Sequence, residues 1–158
     1  MRTIICTLLL LNVSFTNSQN FKLDFYNFYK GGNESKKPIK YVLFDVKEGN
    51  HNGREHKNVI YFNIKTERFV FNKEKHKIDT CSITLLKKVK LESAEKLQEE
   101  ETNYFIKRVE EYEKRTNRKV PKSMPLSRTH KYLKVYILEK IDTDKVIRHE
   151  VDWEYSMF

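Results

Sequence analysis

Apolar and polar positions along this chain change their period at a few points, and those points define the elements. Residues 39–47 (Ile-Lys-Tyr-Val-Leu-Phe-Asp-Val-Lys) are β-branched and aromatic and predict a first strand. The polar run from Glu48 to Asn58 predicts a loop. Val59–Lys65 and Arg68–Asn72 predict two strands joined by a tight turn at Thr66-Glu67. After a charged turn at residues 73–77, a fourth strand is expected from Ile78, running with a bend as far as Leu91. The four read as an antiparallel meander.

The period then lengthens. Ser93 is placed to cap a helix that starts at Ala94, with Glu95 in the first turn where the helix dipole favours negative charge. Ala94, Leu97, Phe105, Val109 and Tyr112 share one face, and Glu99, Glu100, Glu101, Lys107, Arg108, Glu110, Glu111 and Lys114 take the rest. Basic residues 114–119 close the helix and Val120-Pro121 stops it. A loop with Pro121 and Pro125 follows. Tyr132–Lys140 and Lys145–Tyr155 predict a closing hairpin around residues 142–144. In its second strand Ile147, His149, Val151, Trp153 and Tyr155 alternate with Arg148, Glu150, Asp152 and Glu154, so one face is packed and the other wet. The expected fold class is α+β: an antiparallel sheet of about six strands, β-β-β-β-α-β-β, with one long amphipathic helix packed on one face.

The amino terminus has a different pattern. Arg2 precedes an apolar run from Ile4 to about Phe15, followed by Thr16-Asn17-Ser18. That is the three-part pattern of a secretory signal peptide over residues 1–18, with Gln19 as the expected mature start. The run is too short to span a membrane. The expected organisation is therefore a leader, then one α+β domain over residues 19–158 in a secreted or periplasmic protein. The leader would take Cys6 with it and leave Cys81 alone, which excludes an internal disulfide. Cys81, flanked by Ile78, Ile83 and Leu85, reads as a packed strand residue.

Charge narrows the partner more than the chemistry. Lys and Arg number 31 against 22 Asp and Glu, a formal net charge of +9. This favours an acidic partner, whether a protein or a surface ligand. Nucleic acid is a less favoured partner, because Lys outnumbers Arg 23 to 8 and the basic residues alternate with acids along the whole chain. Only four Gly and three Pro are present, so no flexible linker divides the chain.

Candidate chemistry is sparse. His51, Glu55 and His56 gather in the polar run, where histidines could serve acid–base work or metal binding. The order His-Asn…His is superficially that of His-Asn-His nucleases, but those place a helix directly after the hairpin and here strands follow. The simpler reading is a polar loop. His130 lies in the loop before the closing hairpin, beside Arg128. His149 shares the apolar strand face with Trp153 and reads as a core histidine. His76, Asp79 and Cys81 have the residue types of a thiol nucleophile and base, but they lie too close in one strand to converge. There is no phosphate loop, no zinc motif and no nucleophile elbow, so no cofactor and no metal are expected. Phe25, Tyr26, Phe28 and Tyr29 belong to an aromatic segment that would offer a binding surface if exposed and would cover the sheet if packed. Asn33-Glu34-Ser35 is a glycosylation sequon. The reading that follows is an exported, non-enzymatic binding module. The alternatives are a small basic hydrolase of nuclease type using His51, Glu55 and His56 or His130, and a nucleic-acid or anionic-surface binder without catalysis.

Overall fold

The computed structural model describes residue 28, residues 30–33, 36–45 and 58–155, and the backbone of 51–56. The leader and the aromatic residues Phe25, Tyr26 and Tyr29 lie outside these described residues. The strands are β1 (Ile39–Phe44), β2 (His51–His56), β3 (Val59–Ile64), β4 (Glu67–Asn72), β5 (Ile78–Ser82), β6 (Lys134–Lys140) and β7 (Lys145–Glu154). A short helix α1 (Leu85–Lys88) and a long helix α2 (Ala94–Thr116) separate β5 from β6.

The class is α+β, with a sheet that is mixed rather than purely antiparallel. Six strands run in the order β1-β6-β7-β4-β3-β2, and β5 pairs separately with β7. β1 lies parallel to β6, with Val42 beside Ile137. A parallel partner requires a crossover of a dozen or more residues, and here the 89 residues from Asp45 to Leu133 intervene. The expected meander is therefore restricted to β2-β3-β4, which is antiparallel throughout. The polar run after Asp45 is not all loop: residues 51–56 form β2, whose pairing with β3 is interrupted by an irregularity between Gly53 and His56. Backbone pairing to β3 overrides the low strand propensity of Asn, Gly and His there. The fourth expected strand ends at Ser82, and the Leu85-Leu86 run turns into α1 instead.

β7 joins the two halves of the sheet. Its first part pairs with β5 and β6, with His149 between Ile78 and Ile137, and its last residues pair with β4, with Trp153 beside Phe69. The faces of β7 follow the expected alternation at His149, Val151 and Trp153, all buried; Val146 is also buried, on the opposite face by register. The main core lies between the sheet and the first turns of α2, where Val42, Phe44, Phe62, Phe69, Val135, Ile137 and Trp153 meet Ala94 and Leu97. Each such side chain contributes about 1.5–3 kcal/mol by leaving water. A second cluster, of Phe28, Phe105, Val109, Tyr112 and Tyr132, covers the rest of α2.

α2 starts and stops for local reasons. Ser93 occupies the N-cap position with extended backbone, but its hydroxyl makes no capping bond. At the other end Asn117 adopts the left-handed conformation (φ 53°) and its N–H returns to the Glu113 carbonyl. The Glu113 carboxylate accepts the Val120 N–H at 2.9 Å and fixes the exit. The apolar stripe has one correction. Glu101, expected on the wet face, is fully buried between Leu97 and Phe105. Its position, four residues from each, is that of the stripe.

Candidate functional site: a lysine-rimmed groove around His130

A gap in strand pairing creates the site. Thr129 pairs with Glu154, and the next pair along is Val135 with Val151, so six residues advance on one side against three on the other. The surplus, Lys131-Tyr132-Leu133, loops out beside Asp152 and Trp153. Before the gap the chain is tied to β7: His130 N donates to Trp153 O at 2.8 Å and Tyr155 N to Arg128 O at 3.1 Å. After it, Lys134 N donates to Pro38 O at 3.0 Å.

The segment before β1 seals one side of this excursion. Gly31 has φ +83°, and a Cβ there would stand 2.4 Å from the Lys131 carbonyl oxygen, so only glycine permits the approach. The Tyr132 hydroxyl donates to the Phe28 carbonyl at 3.3 Å. Phe28, a candidate surface aromatic, is 2% exposed and packs on Phe105 and Tyr112. It takes the packing role and helps carry Lys30 and Lys37 to the rim.

The result is a groove of about 480 Å³, open at the surface, with a floor of Leu133, Val135, Val151 and Trp153. Five lysines line it (Lys30, Lys37, Lys75, Lys131 and Lys134), with His76 and His130, against two acids, Glu150 and Asp152. Both acids are engaged by groove residues. Lys134 Nζ lies 2.8 Å from Glu150, which raises the lysine pKa above its ordinary value. His76 Nε2 lies 3.5 Å from Asp152. His76 holds the Asp152 carboxyl below the usual aspartate range, with Lys75 and Lys131 adding to the effect. The other nitrogen of His76 accepts the Asn72 N–H at 3.0 Å, which fixes its tautomer and ring plane.

His130 lies at the inner end. Side chains two apart on a strand stand about 7 Å from each other on one face, which is the thickness of one inserted ring. The His130 imidazole fills that space between Trp153 and Tyr155, with ring centroids 3.5 Å and 3.7 Å away. Its Nδ1 contacts the Glu101 carboxylate. A carboxylate only accepts, so Nδ1 carries the proton. Glu101 also accepts the Tyr132 N–H at 3.0 Å. A second buried glutamate braces the same stack: Glu67 accepts from Trp153 Nε1 at 2.7 Å and from Gln98 at 3.0 Å. Burial, and then the charge of Glu101, raise the Tyr155 pKa. The His130 side chain is 3% exposed, and its Nε2 has no hydrogen-bond partner among the described residues.

The remaining sequence candidates do not converge on this groove. His51, Glu55 and His56 lie on β2, whose order in the sheet places it three strands from β7 and on the far side from residues 128–130. Four strand spacings amount to roughly 19 Å. His149 is a core residue as expected, 1% exposed, packed against Phe62 and Phe71 with Nε2 2.9 Å from Glu139. Asp79 pairs with Arg148 at 2.6 Å, and Cys81 is half-buried opposite Val146. Among the described residues no group of three or more His, Cys, Asp or Glu could hold a metal, and no helix is long and apolar enough to cross a membrane. His76 and Asp152 in the groove, and Glu67 and Glu101 bracing the stack behind it, are the residues that sequence reasoning missed or misplaced. Only Glu101 left a signal there, as a carboxylate in the apolar stripe of a helix. No protein-family model, no curated protein and no solved structure matches this chain.

Proposed function

We propose that this protein is an exported, non-enzymatic binding module whose groove beside β7 receives an acidic partner. The observation that carries this reading is the excess of five lysines over two acids around one concavity of about 480 Å³. Charge focused in a cleft attracts an oppositely charged ligand more strongly than the same charge spread over a surface. Glu150 is engaged by Lys134 and Asp152 by His76, and the balance of charge around the groove stays positive. Among the described residues the lining has no arginine, which suits single carboxylates better than the bidentate recognition typical of phosphate. The test is fluorescence anisotropy with a labelled hexaglutamate peptide and a hexaglutamine control. Binding is expected for hexaglutamate alone, weakening between 50 and 300 mM salt. Lys75→Glu with Lys131→Glu should reduce affinity at least tenfold. Equal binding of both peptides, or indifference to the charge reversals, would remove the proposal.

The Glu101–His130 pair supports a second reading, as a hydrolase. A carboxylate on Nδ1 is how a general base is oriented. Turnover of RNA or DNA by the purified protein, lost in His130→Phe, would favour it over the binding module.

A further inference from the structure

Lysines alone would make the groove a diffuse attractor, but His130 gives it an inner end with a defined direction. The two nitrogens of an imidazole point apart, so with Nδ1 on Glu101 the Nε2 edge faces away from α2. The groove is lined by His130 and not by Glu101; the smaller concavity behind it, of about 170 Å³, is lined by both. A buried polar atom without a partner is uncommon and costs stability. This one is held by two aromatic rings and a buried carboxylate, so it cannot turn to find a partner.

We propose that His130 Nε2 is the inner subsite of the groove and binds a carboxylate of the acidic partner by taking up a proton. This rests on the reading that the groove receives an acidic partner, and it names the group recognised. With the Nδ1 proton committed to Glu101, Nε2 offers an N–H only as the imidazolium. Free of ligand, that form has Glu101 as its one buried counter-charge. A carboxylate drawn in by Lys75 and Lys131 supplies a second, at the Nε2 edge, and an opposite charge in hydrogen-bond contact favours the charged form. The stacked faces of Trp153 and Tyr155 add cation–π attraction to the same state. The other titratable groups lining the two concavities are His76, Asp152, Glu150 and the five lysines in the groove and Tyr155 behind it; the lysines oppose the imidazolium until a ligand carboxylate offsets them. Of these acids, Asp152 is held by His76 and Glu150 by Lys134, so neither replaces the ligand.

The experiment is side-chain nitrogen NMR at neutral pH on ¹⁵N-histidine-labelled protein, with the His130 signals assigned by their loss in His130→Phe. Unlabelled hexaglutamate is the probe. Addition should convert the Nε2 signal of His130 to the protonated type, and hexaglutamine should leave it unchanged. His130→Phe keeps a ring between Trp153 and Tyr155 and should bind hexaglutamate about tenfold more weakly. If backbone amides at Lys75 and Lys131 shift while the His130 ring nitrogens do not, the subsite is overturned and the groove reading stands. If neither responds, both fall. If inorganic phosphate or a single-stranded oligonucleotide protonates the ring and hexaglutamate does not, the carboxylate assignment is wrong. The ring measurement is made on the unaltered protein, so it holds whether or not the variant folds.

Discussion

Asp152 shows how a single side chain records the electrostatics of the groove. It lies on the solvent side of β7, where an isolated aspartate would titrate near 3.9. His76 beside it, with Lys75 and Lys131 nearby, holds its carboxyl lower. A carboxyl depressed in the folded state contributes stability that is fully present above the unfolded value and is lost as pH falls through the folded one. Asp152→Asn should therefore be less stable than the parent at pH 6. The difference should shrink between about pH 4 and pH 2. Urea midpoints measured at each pH for both proteins give this difference directly. A gap that stayed constant down to pH 2 would show that the Asp152–His76 pair contributes nothing through ionisation. The side chain is half exposed, so solvent screening keeps the effect small.

At the scale of elements, α2 holds the groove in place through one carboxylate. Glu101 replaces an apolar residue at the centre of the stripe and joins the helix to His130 and the Tyr132 N–H. Removing the acceptor of a buried hydrogen bond strands its donors at about 1–3 kcal/mol each, whereas replacing both partners with apolar groups of similar shape is often near neutral. Glu101→Leu strands two donors, the His130 Nδ1–H and the Tyr132 N–H, and should cost in that range. The double change Glu101→Leu with His130→Phe should cost less than Glu101→Leu alone, and a thermodynamic cycle from denaturant midpoints measures the coupling. Additive costs would mean the two residues do not act as a pair. The same residue explains what sequence patterning could and could not reveal. The spacing of Leu97, Phe105, Val109 and Tyr112 fixed the helix and its buried face, because a 3.6-residue period is a local property. β3, β4, β6 and β7 were legible for the same reason, through alternation of buried and exposed positions. β2 was hidden because Asn52, Gly53 and Glu55 have no strand propensity, and its pairing with β3 decides the matter. The parallel β1–β6 pair and the gap at Lys131–Leu133 depend on which segments meet across the chain. Composition fixes neither, so the groove could not be read before the fold was known.

At the scale of the molecule, the groove exists only where four distant segments meet: the one bearing Lys30 and Lys37, the turn bearing Lys75 and His76, the Thr129–Val135 excursion and the end of β7. β7 is also the strand that unites the two halves of the sheet. Trp153, the one tryptophan of the chain, stands at that junction, stacked on His130 and packed beside Phe69. Loss of either half of the sheet removes neighbours of the same indole. Unfolding should accordingly be a single transition, with tryptophan fluorescence and far-ultraviolet circular dichroism giving the same urea midpoint. Separated midpoints would show that β2-β3-β4 and the β1-β6-β7-β5 half unfold independently. Because a groove assembled this way is absent from the unfolded chain, its ligand must also stabilise the fold. Hexaglutamate at ten times its dissociation constant should add about 1.4 kcal/mol, as a parallel shift of both probes to higher urea. The shift should disappear at high salt, where the attraction of the exposed lysines is screened. Salt that abolished the shift while leaving the unliganded midpoint in place would locate the electrostatics in binding. Stability of the fold itself would then rest on the apolar contacts around Trp153 and the helix stripe.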